Sequence, residues 1–210
     1  MLPPTIPIFP LPNVVLFPSV FLPLHIFEPR YRQMVDDSLK GDRIIGMVLL
    51  RPGWEGNYEG RPAVYGIGCA GVITHAERLP DGRFNIVLRG MEKFRIVDEQ
   101  DERQYRMASV EPVPDPGIDA AARNEMRGER KRLELLLVPQ PEGTGDPKVP
   151  SSMPDEDLVN ALAQYLEFEA VEKQALLERT GVLDRCRALI ELLEMKVLVA
   201  RHKWHGDGVH

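Results

Sequence analysis

Few residues in this 210-residue chain have the type and spacing that chemistry requires. Gly66, Gly68 and Gly71 form a GxGxxG pattern, in which a tight turn and the start of a following helix bring backbone N–H groups to a pyrophosphate. That use needs a helix opening through the glycines. Here the two-residue alternation continues through Val72 and Ile73, so the glycines are read as points where a curved strand bends or a neighbouring backbone approaches. GTGDPK, Gly143 to Lys148, lacks both the spacing and the Lys-Ser/Thr ending of a phosphate loop. Cys69 and Cys186 are far apart, without CxxC spacing, and fall on apolar faces, which predicts core thiols in a reducing compartment. His75 has no second ligand at metal spacing, and His202, His205 and His210 fall in a polar terminus that reads as a frayed end. No catalytic residue, cofactor site or metal site is assigned.

The chemistry left is recognition. Trp54 and Tyr58 stand among glycines and charges in RPGWEGNYEGRP, Arg51 to Pro62, a stretch with no periodicity. Exposed aromatics on loops dominate binding surfaces, so these two are the candidate protein-binding residues. The competing reading has one or both folding back to cover the core. Phe17, Phe21 and Phe27 are expected in the core.

The elements that position this loop begin with Thr5 to Leu39. Pro7, Pro10, Pro12, Pro18 and Pro23 restrict IPIF, VVLF and VFLPLHIF to short, kinked or edge strands. Pro29 suits a first helical position, Tyr31, Met34, Val35 and Leu39 recur at helical spacing, and Gly41 supplies the stop. RIIGMVLL, Arg43 to Leu50, is a strand buried on both faces. A long strand from Val64 to Glu77 leads through the turn Pro80-Asp81-Gly82 to RFNIVLRG. A second tight connection is expected at Gly90-Met91-Glu92, before KFRIVDE and then YRMASVEPV.

Breakers accumulate at Pro112, Pro114, Pro116 and Gly117, and the period then changes from two to 3.6. A strand-rich domain over 1–117 is expected, followed by a helical domain over 118–204 and a tail over 205–210. The helical part comprises a long helix from Ile118 to Val138, a Pro/Gly-rich loop over 139–154 and three further helices. The last of these carries Leu183, Cys186, Ile190, Leu193 and Val197 on one face.

The formal charge of −6 is spread over the chain without a basic block, which disfavours a phosphate backbone as partner. The most basic run, Arg127 to Arg132, is interrupted by Glu129 and reads as a solvated helix face. Residues 1–24 carry no charge, but their seven prolines, at about 3 kcal/mol for each interior one, rule out a spanning helix. A cytoplasmic protein without membrane attachment is expected.

IPIFPLPNVVLFP followed by LPLHIFEPRYRQMV, the pair GIGCAGVI and GRFNIVLRGMEKFRI, and KQALLERTGVLDRCRALIELLEM together resemble the N-terminal, substrate-binding domain of the Lon protease family, standing alone. The resemblance covers nearly the whole chain. It implies an α+β fold, a PUA-like β-barrel with one inserted helix followed by an α-helical bundle. It also implies a non-catalytic module that binds unfolded or specific protein partners, linked to ATP-dependent proteolysis carried out by other chains. Relatives of that family continue into an ATPase and a Ser-Lys protease domain. PKVPS, Pro147 to Ser151, is similar to the segment around their nucleophile but lacks its Asp-Gly and Ala-Gly, and Lys173 and Lys196 belong to helices. PUA-like barrels also resemble RNA-binding domains, which is the alternative function.

Overall fold

The computed structural model describes residues 1–58, 60–100, 103–137 and 153–206. The expected loop over 139–154 therefore falls almost wholly outside the described residues, as does Ser151. So do the side chains of His202, His205 and His210.

Among the described residues the fold is a mixed six-stranded sheet with five α-helices. The strands are β1 (Thr5–Leu11), β2 (Phe21–Ile26), β3 (Ile44–Leu49), β4 (Ile67–Arg78), β5 (Phe84–Gln100) and β6 (Met107–Pro112). The helices are α1 (Pro29–Lys40), α2 (Ala120–Leu137), α3 (Asp155–Tyr165), α4 (Ala170–Leu177) and α5 (Val182–Gly206). Among the described residues no helix is long and apolar enough to cross a membrane. Two compact units are present: Met1–Pro114 with Asn160–Glu178, and Asp115–Val159 with Arg179–His210.

In the first unit β1 pairs parallel with β3 and antiparallel with β6, while β5 pairs with β2, β4 and β6. The pairings thus run β1, β3, β4, β5, β6 and back to β1, with β2 added along the first half of β5. Contrary to expectation, no turn interrupts Gly90-Met91-Glu92. β5 is continuous, and Met91 is an extra residue between the pairs Gly71↔Gly90 and Ala70↔Glu92. Gly90 does not take the positive φ that a tight hairpin turn uses, so the insertion becomes a bulge, which bends and twists the strand. A second irregularity lies between Ile96 and Asp98. The bends let one strand serve β2 with its first half and β6 with its second.

The expected strand at VVLF is also absent. Val15, Leu16 and Phe17 are buried but irregular. Their backbone finds partners elsewhere: Phe17 N donates to Gln164 Oε1 at 3.2 Å, and Ser19, at φ 64°, donates to Gly90 O at 3.0 Å. β3 is buried at every position, as its uninterrupted apolar run requires. Ile6, Ile8, Val48, Ala70, Phe94 and Ala108 form the centre of one core cluster.

Gly68 and Gly71 sit where other groups approach. A Cβ on Gly68 would lie 2.5 Å from Met47 O and 2.7 Å from the Phe94 ring, and one on Gly71 2.9 Å from the end of Leu16. Gly66 faces open space. Pro80-Asp81-Gly82 turns with Gly82 at φ 82°, closed by Leu79 N donating to Arg83 O at 2.8 Å.

α1 starts with Pro29 at its first turn and buries Tyr31, Met34, Val35 and Ser38. Ser38 takes the buried place expected of Leu39, and its hydroxyl donates to Met34 O at 2.7 Å, which satisfies it. In the second unit α5 buries Val182, Arg185, Cys186, Leu189 and Ile190, whereas Val197 is exposed. The buried face thus keeps Cys186 and Ile190 of the expected stripe and adds Val182, Arg185 and Leu189, with Arg185 forming an ion pair to Asp115 at 2.8 Å.

Both cysteines are fully buried, and burial pushes the Cys186 thiol up to about 12. Thiolate is the reactive form. Alkylation at mildly alkaline pH is therefore expected to leave both thiols unmodified in the native protein and to consume both in denaturant. Labelling of native Cys186 at the rate of a free thiol contradicts this burial.

Candidate functional site

The loop after β3 is anchored at its ends, by Arg51 N to Ala63 O at 2.8 Å and by the Leu50↔Val64 bridge. Between them a 3₁₀ turn over Glu55–Asn57 sets Trp54 and Tyr58 on one side. Their rings meet edge to face, with centroids 5.6 Å apart. Both are half-buried, so neither sequence reading is complete: they form a supported pair that keeps part of its surface in solvent.

The support comes from the start of α1. Tyr58 donates its hydroxyl to Glu28 Oε1 at 2.7 Å. Arg30 pairs with the same carboxylate through Oε2 at 3.0 Å, and its guanidinium lies 4.7 Å from the Tyr31 centroid and 5.2 Å from that of Tyr58. Tyr31 in turn packs on Phe9, centroids 4.3 Å apart. Pro29 explains the geometry, because it begins the helix and so fixes the direction in which Glu28, Arg30 and Tyr31 leave the chain.

A second group of the same composition stands nearby. Tyr105 donates to Asp37 Oδ2 at 2.9 Å, and Arg103 Nη1 reaches both that oxygen and the Tyr105 hydroxyl, each at 2.9 Å. Arg106 is almost buried and grips Glu99 with two bonds of 2.7 and 2.6 Å, while its Nη1 donates to Pro62 O at 2.8 Å.

Burial drives the hydroxyls of Tyr31, Tyr58 and Tyr105 upward, and the carboxylates beside Tyr58 and Tyr105 add to it. All three phenols therefore keep their protons near neutrality. Burial alone would raise Asp37, but the bonds from Tyr105 and Gln33 and the charge of Arg103 hold it below its ordinary value. Asp37 stays ionised and the phenols stay donors.

Tyr31 and Tyr58 border two hollows among the described residues. A cavity of about 300 Å³ is lined by Arg30, Tyr31, Tyr58, Arg61, Arg103 and Arg106, among others. A smaller one of about 120 Å³ lies among Phe9, Leu24, Phe27, Glu28, Tyr31 and Tyr58. Tyr31 and Tyr58 belong to both walls.

Sequence reasoning missed part of this surface. Phe17 is fully buried, but Phe21 is 50% and Phe27 61% exposed, which corrects their assignment to the core. The cause is the phase of β2: Ile26 is buried and Leu22 and Leu24 are half-buried, so Phe21, Pro23 and His25 face out. Both faces of FLPLHIF are apolar, so alternation alone left the phase undetermined. Among the described residues no His, Cys, Asp and Glu cluster is arranged to hold a metal ion.

Comparison with known proteins gives this surface its context. The chain is 32% identical over 183 residues to Lon protease 2 of Syntrophobacter fumaroxidans, an alignment taking in 84% of this chain and 22% of that protein. To Lon protease 2 of Myxococcus xanthus it is 27% identical over 201 residues, 93% of this chain and 24% of the other. The chain thus spans about a quarter of the length of these curated relatives. Among solved structures it is similar to a Lon N-terminal domain protein from Xanthomonas campestris, with a TM-score of 0.59 at 22% identity, covering 89% of this chain and 97% of that one. It is also similar to the N-terminal domain of the Mycobacterium avium complex Lon protease, with a TM-score of 0.64 at 16% identity, covering 90% and 98%. These two likenesses establish a shared fold. The family described as the ATP-dependent protease La (LON) substrate-binding domain matches residues 5–195, and the chain belongs to that family.

Proposed function

We propose that this chain is a non-catalytic protein-binding module that recognises unfolded segments or a specific protein partner, with Trp54 and Tyr58 on the contact surface. The observation that carries the reading is membership of a substrate-binding-domain family over residues 5–195. The half-exposed Trp54–Tyr58 pair, and the cleft that Tyr58 shares with exposed Phe27, support the placement. Aromatic side chains of this kind offer a large contact area at little cost in conformational entropy. The hydrogen bond to Glu28 reduces the entropy cost for Tyr58 further.

The same reading holds that ATP-dependent proteolysis of whatever is bound is carried out by other chains in the cytoplasm. It also divides the chain into a PUA-like barrel over 1–117 and a helical bundle over 118–204. The return of the strand pairings from β6 to β1 and the change of period after Gly117 support a boundary near Gly117, whereas Asn160–Glu178, grouped with the first unit, departs from that division.

The test is fluorescence anisotropy of a labelled, permanently unfolded polypeptide titrated with the protein, beside a natively folded control and single-stranded RNA. Selective binding of the unfolded chain is expected. Trp54→Ala with Tyr58→Ala is expected to weaken it by at least about 2 kcal/mol, the loss typical of a central aromatic anchor, with the circular dichroism spectrum unchanged. Unchanged affinity removes these two residues from the surface. Binding of RNA alone, with steep salt dependence, favours the phosphate-binding alternative.

A further inference from the structure

β2 is an end strand of the sheet and pairs with β5 alone among the described residues. Its register fixes which backbone groups that pairing uses. Gly90 N donates to Val20 O at 2.8 Å, so Val20, and after it Leu22, Leu24 and Ile26, stand at the positions that bond to the neighbouring strand. Phe21, Pro23 and His25 turn their backbone groups the other way. Pro23 agrees with that phase, because a residue without an N–H costs no ladder bond there. So does Phe21, whose carbonyl accepts from the Tyr165 hydroxyl at 2.9 Å. Among the described residues the backbone N–H of His25 and the carbonyls of His25 and Pro23 have no partner.

Natural sheets blunt such an edge with charge, with proline or with a covering element. FLPLHI carries no charged residue, and Pro23 guards only its middle. The half around His25 stays open. Its imidazole does not cover the edge, since Nδ1 meets Asn85 Oδ1 at 2.8 Å and Nε2 meets Arg83 Nη1 at 3.2 Å, both on the β5 side. Apolar surface continues on either side of it, with Phe21 50% and Phe27 61% exposed. The cleft of about 120 Å³ lies at this end of the strand, bordered by Leu24, Ile26, Phe9, Leu11, Tyr31 and Tyr58.

We infer that the polypeptide this module recognises adds to the free edge of β2 as an extended strand, an inference that rests on the protein-binding reading above. Backbone groups on an edge call for backbone groups on the partner, with little demand on its sequence. An unfolded segment has these groups unpaired. In an antiparallel addition His25 exchanges two bonds with the residue opposite it, and Pro23 O accepts a third from the residue two positions along. Side-chain alternation then places the neighbours of the residue opposite His25 on the face of Leu24 and Ile26, where the cleft receives one of them. A dry cavity of about 150 Å³ holds benzene, so this cleft suits one aliphatic side chain. A second copy of the chain is a poorer occupant. Two β2 edges paired about a two-fold axis bring both Pro23 residues, and so two missing donors, into one ladder.

Two variants that lack the same imidazole test the edge. His25→Pro removes the outward N–H, whereas His25→Ala keeps it. In anisotropy titrations of a labelled, permanently unfolded polypeptide, His25→Pro is expected to bind about tenfold more weakly than His25→Ala, the equivalent of one lost hydrogen bond. Pro23→Val supplies the missing donor and is expected to bind several-fold more tightly than the unaltered protein. It also decides the matter if His25→Pro fails to fold, which circular dichroism reveals. N-methylation at successive residues of an end-capped peptide of alternating valine and threonine is expected to weaken binding at every second position only, because alternate N–H groups face away from β2. Equal affinities for the two His25 variants, with Pro23→Val unchanged, overturn strand addition, and polypeptide recognition then stands. Loss at every N-methylated position overturns it as well. Self-association of the unaltered protein that His25→Pro abolishes assigns the edge to a second copy instead. If the unaltered protein binds no unfolded polypeptide, both readings fall together.

Discussion

Replacing Arg185 with methionine is expected to destabilise the second unit by about 3–5 kcal/mol, the usual cost of removing one member of a buried ion pair. Arg185 has no exposed surface, and its guanidinium meets Asp115 Oδ2 at 2.8 Å, with Asp115 itself largely covered. An arginine taken wholly out of water gives up several kcal/mol of hydration, which the attraction of the partner and further hydrogen bonds must offset. The single substitution removes the attraction and retains the burial of Asp115. A second variant decides the mechanism. Substituting Arg185 and Asp115 together by apolar residues of similar volume is expected to recover most of the loss, because no buried charge is then left uncompensated. Urea unfolding followed by a probe in the helical unit measures both. A loss under about 1 kcal/mol for Arg185→Met, the range of exposed pairs, contradicts the assignment.

Gly90→Ala is expected to cost about 3 kcal/mol, at the upper end of what overpacking brings. A Cβ on Gly90 would overlap the backbone carbonyl of Phe17, and the obstacle is main chain that cannot rotate away. The same two segments are tied by Ser19 N to Gly90 O at 3.0 Å and Gly90 N to Val20 O at 2.8 Å, so displacing one strains both bonds. Gly71→Ala meets the movable end of Leu16 and is expected to cost less, and Gly66→Ala, facing open space, to be close to neutral. Denaturation midpoints falling in the order Gly66→Ala, Gly71→Ala, Gly90→Ala check this. An equal effect at all three positions shows that loss of glycine flexibility, and not close approach, governs the series.

That series also shows how far a motif can be read without its fold. Continued alternation was enough to assign Gly66, Gly68 and Gly71 to a strand, and β4 runs through Gly68 and Gly71. Which glycine is crowded depends on Met47, Leu16 and Phe94, far away in the chain. α1 was legible because its signals are local: a proline at the first turn, a helical stripe and a glycine just past the end. β5 was misread as two strands because a glycine within an alternating run signals a turn and a bulge alike. The pairing of β5 with β4 and β6 removes that ambiguity.

Of the proposed recognition surface, Trp54 and Tyr58 were legible as a pair of aromatics in a loop between strands. Their anchorage on Glu28 and Arg30 was not, nor was the exposure of Phe21 and Phe27. The arginines of the cavity come from four places in the chain, at 30, 61, 103 and 106, and no periodicity connects them. By itself the sequence determined what depends on neighbours along the chain: where most strands and helices begin, which runs are apolar on both faces, and which family the order of motifs resembles. Tertiary structure alone decided which face of β2 and α5 is buried, whether Arg185 points inward, and which charges gather around one cavity. Those outcomes depend on residues distant in sequence, because a buried charge and a strand phase are settled only by the partner that each one meets.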